Sequence, residues 1–209
     1  MKWDELLDLL NGEQIFHSSV LLSGVEAQAG VRRQLARWVG AGRLLKLRRS
    51  VYVLARPYRS KEPDPFVVAN RLKGASYVSF QSALGHYGCI PEHVPTITSA
   101  TTGRPETLNT PLGSFVYRHV QTRLFFGYTS MTVSGDSNAF VARPEKALLD
   151  LVYLSPRGDS SEYIEELRLQ NLVAFDARKL LGFARRTGSA KLLRAAERVE
   201  KLIVEEGSR

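Results

Sequence analysis

Apolar residues along this chain first follow a helical period, then alternate, and later return to a helical period. Trp3, Leu6, Leu7, Leu9 and Leu10 give one apolar stripe on a short helix, which Asn11-Gly12 closes. Ile15 and Phe16 form a brief apolar pair. Ser18 or Ser19 is placed to cap a second short helix through Leu22, which Gly24 ends. A third helix is predicted from Glu26 to Ala41, because Val31, Leu35, Trp38 and Val39 fall at i, i+4, i+7 and i+8. Arg33 and Arg37 then point away from that stripe with Glu26, Ala29 and Ala36, while Gln28 and Arg32 lie on its flank. Gly40 and Gly42 end the helix. Leu44, Leu45 and Leu47, then Val51, Val53 and Leu54, form two strand-like runs joined by Arg48-Arg49-Ser50.

Three helices followed by a hairpin predict a winged helix-turn-helix over residues 1–56. Residues 57–65, PYRSKEPDP, carry three prolines and four charges and are predicted as a linker. The remaining chain, 66–209, opens with a helix from Phe66 to Leu72, and Ser79 is placed to cap a helix containing Ala83, Leu84 and Tyr87. Strand character fills 96–101, 114–120, 130–133 and 138–142, with turn signals between them, among them Gly103-Arg104-Pro105, Gly127 and Gly135-Asp136. Pro144 opens a helix through Tyr153, and further helices are predicted over 162–169, 177–186 and 190–205. The fold class is α+β: a winged helix-turn-helix, then a mixed domain with a mainly antiparallel sheet and C-terminal helices.

Charge sharpens this picture. Nine Lys and Arg residues lie between Glu26 and Arg59 against one acid, a net +8 equal to the formal charge of the whole chain. From Lys61 onward 19 basic and 16 acidic residues nearly cancel. Localised positive charge of this kind is the electrostatic footprint of a nucleic-acid binder. An ordinary solvated helix face mixes signs, while this one has a single acid, Glu26, at its very start. Gln28, Arg32, Arg33 and Arg37 on the third helix and Lys46, Arg48 and Arg49 on the hairpin are the candidate DNA contacts, with Arg48 and Arg49 expected on phosphate. Trp38 falls inside the apolar stripe and is expected in the core.

Other chemistry finds little footing. No apolar run approaches the ~20 residues of a membrane span, and the acidic start MKWDELLDLLNGE is unlike a signal peptide. The single cysteine, Cys89, fits a reducing cytoplasm. His17, His86, His93 and His119 lack metal-ligand spacing, and there is no nucleotide-cradling or nucleophile-elbow motif, so neither cofactor nor enzyme activity is expected. Asp136, Glu145 and Asp150 match no metal-nuclease pattern.

Four blocks in order, SYVSFQSALGHYGCIPE (76–92), TSATTGRPETLNTPLGSFVYRHV (98–120), LFFGY (124–128) and RPEKALLDLVYL (143–154), resemble AbiEi-type antitoxins of abortive-infection modules. The resemblance extends to a short winged helix ending in a G-V-Y-like strand, here SVYVLA with Ser50 in the glycine's place; beyond Ser155 it rests on helical character alone. It implies a bifunctional protein. The N-terminal unit represses its own operon by binding inverted repeats in double-stranded DNA. The C-terminal unit counteracts a nucleotidyltransferase-like toxin without a stable complex.

Within the blocks, Arg104, Arg118 and Lys146 are the candidate protective surface. For Arg118 the competing reading is a structural bridge to a carboxylate of the 145–150 helix. Ser79 either caps its helix or holds an anion at its N-terminus. Two further functions stay open: a regulator whose C-terminal unit only dimerises or binds a ligand, and a nuclease-like defence enzyme.

Overall fold

Lys2 and Glu5 start α1 (Trp3–Leu10): the Lys2 backbone N–H donates to the Glu5 carboxylate at 2.8 Å, and Asn11 at φ 44° ends the helix in the left-handed region. The computed structural model describes residues 1–22, 28–59, 61–92, 94–134 and 137–207. After α1 come β1 (Ile15–His17), α2 (Ser19–Leu22), α3 (Gln28–Gly40), β2 (Leu44–Arg48) and β3 (Val51–Leu54). The expected helix start at Glu26 and stop at Gly24 lie outside the described residues. β1, β3 and β2 pair antiparallel in that order. Ser50 sits in the β2–β3 turn at φ 68°, a conformation that glycine adopts without strain and serine does not. The serine in the glycine's place therefore changes the cost of the turn and leaves its shape.

Both faces of this small sheet are covered. Alternation sends Phe16, Leu44 and Leu54 toward Leu6, Leu10, Leu21, Leu35 and Trp38. Ile15, Leu47, Val51 and Val53 face the other way and join Val68, Ala69 and Leu72 of α4 (Pro65–Leu72) in the large core. Residues on either side of the expected linker thus share one core. The linker itself folds back: Tyr58 meets the Trp3 ring edge-on at 4.9 Å, and Arg59 donates to the Leu54 carbonyl at 3.2 Å. A fragment of residues 1–60 bares four apolar side chains, each worth about 1.5–3 kcal/mol when buried. It is expected to melt without the cooperative transition of the full chain; a cooperative circular-dichroism melt of the fragment alone would show that the unit holds itself.

The second part places β4 (Ser76–Val78), α5 (Phe80–His86), β5 (Ile97–Thr101), β6 (Glu106–Thr110), β7 (Gly113–His119), β8 (Tyr128–Ser134) and β9 (Ser137–Ala142) before the helices α6 (Pro144–Leu154), α7 (Ser161–Glu166), α8 (Ala177–Thr187) and α9 (Ala190–Gly207). The sheet order is β6-β7-β5-β4-β9-β8. β5–β7 and β4–β9 run parallel and the other neighbours antiparallel, so this sheet is mixed. The class is α+β, as expected, with one antiparallel and one mixed sheet. Two strands escaped the sequence reading. β4 is three residues long and buried throughout, so it shows no alternation. β6, with the sequence ETLNT, is a polar strand among turn signals. Its hairpin with β7 places β7 beside β5 and makes that pair parallel.

Candidate nucleic-acid interface

The nine N-terminal cations divide into two groups. Arg32, Arg33 and Arg37 are exposed along α3, Arg33 and Arg37 opposite the side that buries Leu35 and Trp38 and Arg32 on its flank. Lys46 is exposed on β2, and Arg49 is exposed in the β2–β3 turn. Among the described residues no carboxylate pairs with any of these five. The other four are engaged. Arg43 lies over the Trp3 ring at 5.4 Å. Arg56 and Arg59 both donate to Glu62, whose carboxyl they hold below its ordinary value, Arg59 first. Gln28 begins α3, and its side chain lies outside the described residues. Trp38 is buried, edge-on to Trp3 at 5.2 Å, as its place in the stripe requires.

Arg48 departs from expectation. Its guanidinium turns from the hairpin tip onto the second part of the chain, where Nη1 donates to the Leu72 carbonyl at 2.6 Å and lies 3.5 Å from Glu106. Glu106 also takes Lys73, and these two cations, Lys73 first, depress its carboxyl below 4.5. Arg48 is therefore a bridge between the two parts rather than a free phosphate contact. Arg48→Ala should cost about 1–2 kcal/mol, one carbonyl bond plus a partly screened ion pair, in urea unfolding. A depressed carboxyl stabilises the fold above its unfolded value and loses that contribution as pH falls through the folded one. Glu106→Gln should flatten the acid limb of the stability curve below about pH 4.5.

The candidate protective residues also separate. Arg104 and Arg118 are exposed at one end of the larger sheet, in the β5–β6 turn and next to the last residue of β7. His119 Nδ1 lies 3.0 Å from the Gly103 carbonyl there. Among the described residues Arg118 makes no bridge to α6. Glu145 accepts the Asp176 backbone N–H at 2.8 Å, and Asp150 is occupied by other partners.

Lys146 has to leave the surface group. Its side chain is 2% exposed and its ammonium pairs with Asp150, itself 1% exposed, one helical turn away. Tyr77 and Ser79 hydroxyls donate to the other Asp150 oxygen at 2.9 and 2.7 Å. Ser79 occupies the N-cap position of α5, yet its hydroxyl goes to the buried Asp150 carboxylate and neither caps the helix nor is free for an external anion. Lys146 Nζ also lies over the Tyr77 and Phe126 rings at 5.6 and 5.3 Å. Gly127, at φ 76°, leaves room for it: a Cβ there would stand 3.0 Å from Lys146 Cγ. Burial pushes the Asp150 carboxyl up against the pull of Lys146, and pushes the Tyr77 hydroxyl far up as well. Three of the family-like blocks thus meet in one buried polar knot. The signal was present in the sequence: Lys146 and Asp150 stand at i, i+4 and, with Glu145, are the three charged residues of an otherwise almost wholly apolar helix.

No family model matches the chain. No curated protein matches it either. Its fold is similar to the crystal structure of RV2827C protein from Mycobacterium tuberculosis, with a TM-score of 0.50 and 10% identity over 97% of this chain and 80% of that one. At that identity the likeness concerns the fold alone. Among the described residues no helix is long and apolar enough to cross a membrane.

Proposed function

We propose that the chain is a DNA-binding transcriptional regulator of the cytoplasm, with residues 1–56 acting as a winged helix-turn-helix. The observation that carries this reading is the set of five exposed cations without a described carboxylate partner, Arg32, Arg33, Arg37, Lys46 and Arg49, on one helix and the hairpin after it. α3 enters the major groove by its arginine side, and the β2–β3 turn follows the adjacent backbone. The partner is double-stranded DNA, with the operon's own promoter as the operator. The full chain should retard that DNA in a gel, with a log–log salt slope of about −4.5 for five phosphate-range cations. Arg49→Ala should shallow that slope by about 1 with little change in sequence preference. A salt-independent affinity would remove the phosphate contacts from the proposal.

The antitoxin role is a second reading, favoured by the four sequence blocks and by the exposed Arg104 and Arg118 at one end of the sheet. It pairs the chain with a nucleotidyltransferase-like toxin encoded next to it. Co-expression with that toxin from a foreign promoter tests it. Growth rescue by wild type that is lost in Arg104→Ala/Arg118→Ala, with the fold intact, supports a protective surface there; absence of rescue by wild type refutes the role.

A further inference from the structure

The two edges of the six-stranded sheet are guarded differently. β6 is five residues long, lies between Pro105 and Pro111, and carries Glu106 under Lys73 and Arg48. Shortness, proline and charge are the usual devices that keep an edge strand from pairing. β8 lacks all three, and the one irregularity in its ladder with β9 lies between Thr132 and Ser134, past the Ser130–Thr132 stretch. It is seven residues, YTSMTVS, and no charged residue occurs in the sequence between Arg123 and Asp136. Among the described residues it pairs with β9 alone.

Its unpaired backbone groups can be named. The Arg143 N–H donates to the Gly127 carbonyl at 3.0 Å, continuing the Tyr128↔Ala142 register as a hydrogen-bonded pair. Alternation along an antiparallel ladder then turns the backbone of Tyr128, Ser130 and Thr132 away from β9. The Thr129 hydroxyl reaches the Ser130 carbonyl at 3.3 Å, a long bond on that edge. Buried or exposed, such N–H and C=O groups are strong pairing sites.

We propose that β8 is a self-association edge: β8 of a second copy of this chain pairs antiparallel with it about a two-fold axis at Met131. The strand's own sequence selects that occupant. Around Met131 the order is symmetric in chemistry, with Ser130 against Thr132 and β-branched Thr129 against Val133. Each outward Ser130 then meets Thr132 of the second copy, hydroxyl against hydroxyl, and no like charges face each other. Phe140, half exposed opposite Ser130, gains neighbours in the same cross-strand row. The contact is isologous, as closed dimers require, and it joins the two sheets into one continuous sheet. This inference is independent of the DNA reading.

Sedimentation equilibrium of the full chain tests it. Wild type is expected to be dimeric at about 0.1 mM. Ser130→Pro removes an outward donor without touching a β9 bond, and should weaken the dimer at least tenfold. Thr132→Lys, which brings a lysine beside each two-fold-related Ser130, should do the same if the proline variant folds poorly. Thr107→Lys on the guarded β6 edge should leave the dimer unchanged. Met131→Cys gives a second readout, because the native Cys89 is buried. Facing residues of a non-hydrogen-bonded pair have Cα atoms about 4.5 Å apart, within disulfide reach, so mild oxidation should yield a covalent dimer. A monomeric wild type, a dimer indifferent to both edge substitutions, or a dimer without the cross-link each overturns the proposal.

Discussion

Replacing Lys146 by methionine is expected to lower the unfolding free energy by about 3–5 kcal/mol, the cost of breaking a buried ion pair and leaving one charge behind. The substitution keeps the length and most of the apolar stem, so packing against Gly127, Tyr77 and Phe126 changes little. What is lost is the only cation bonded to Asp150 among the described residues. Tyr77 and Ser79 still donate to the carboxylate, but two neutral donors do not offset a full charge in a buried site. Urea unfolding of full-length protein measures the loss. In a double-mutant cycle with Asp150→Asn, which keeps an acceptor for Tyr77 and Ser79, the combined variant should be more stable than Lys146→Met alone. A Lys146→Met cost below about 1 kcal/mol would mean the pair is incidental to the fold.

The same variant has a pH signature. The Asp150 carboxyl is already raised above 3.8 by burial, and Lys146 is the largest influence holding it down. Without the lysine it rises further. A raised carboxyl stabilises the fold fully below its unfolded value and loses that contribution as pH climbs through the folded one. Lys146→Met should therefore recover stability as pH is lowered from 7 toward 5, while wild type, whose Glu62, Glu106, Asp159 and Asp176 carboxyls are depressed, should not gain comparably. An equal pH response in the two proteins would place the charge loss elsewhere.

Local signals in the sequence set most of the elements. The α3 stripe, the Asn11 stop, Pro144 at the first turn of α6 and four of the strands of the larger sheet follow from period and punctuation within a few residues. What escaped is non-local. β4 has too few residues to show a period, and β6 is polar because it lies at an edge. The docking of the small sheet on α4 was also hidden. Ile15, Leu47, Val51 and Val53 read as the inside of a small domain, and only the three-dimensional pairing shows which side each takes. Proline and charge at 57–65 mark irregular backbone; they do not report whether that backbone holds two bodies apart. The candidate site divides in the same way. Exposure of Arg33 and Arg37 follows from helical geometry, whereas the capture of Arg48 by Leu72 and Glu106 depends on chain 24 and 58 residues further on. Lys146 is placed on the surface by the sequence because a lysine is so rarely buried, and its i, i+4 relation to Asp150 carries no weight until both are seen in the core.

The second large effect concerns that arginine side of α3. Arg33→Ala/Arg37→Ala should reduce operator affinity by about 1–3 kcal/mol for each residue, so that the double variant binds the operator little better than unrelated DNA. Both side chains are exposed and neither bonds to a described residue, so the unfolding free energy should stay within the range of ordinary surface changes, about ±0.5 kcal/mol. Arg32 remains as a nearby cation, and Lys46 and Arg49 still follow the backbone. Non-specific binding should thus persist with a shallower salt slope, and the specificity ratio should collapse. That contrast separates a helix lying in the groove from a helix that only adds charge. If operator and unrelated DNA lose affinity in equal proportion, α3 acts as a phosphate contact and sequence is read elsewhere. If neither changes while the protein stays folded, α3 does not meet DNA at all, and the unpaired cations need another anionic partner.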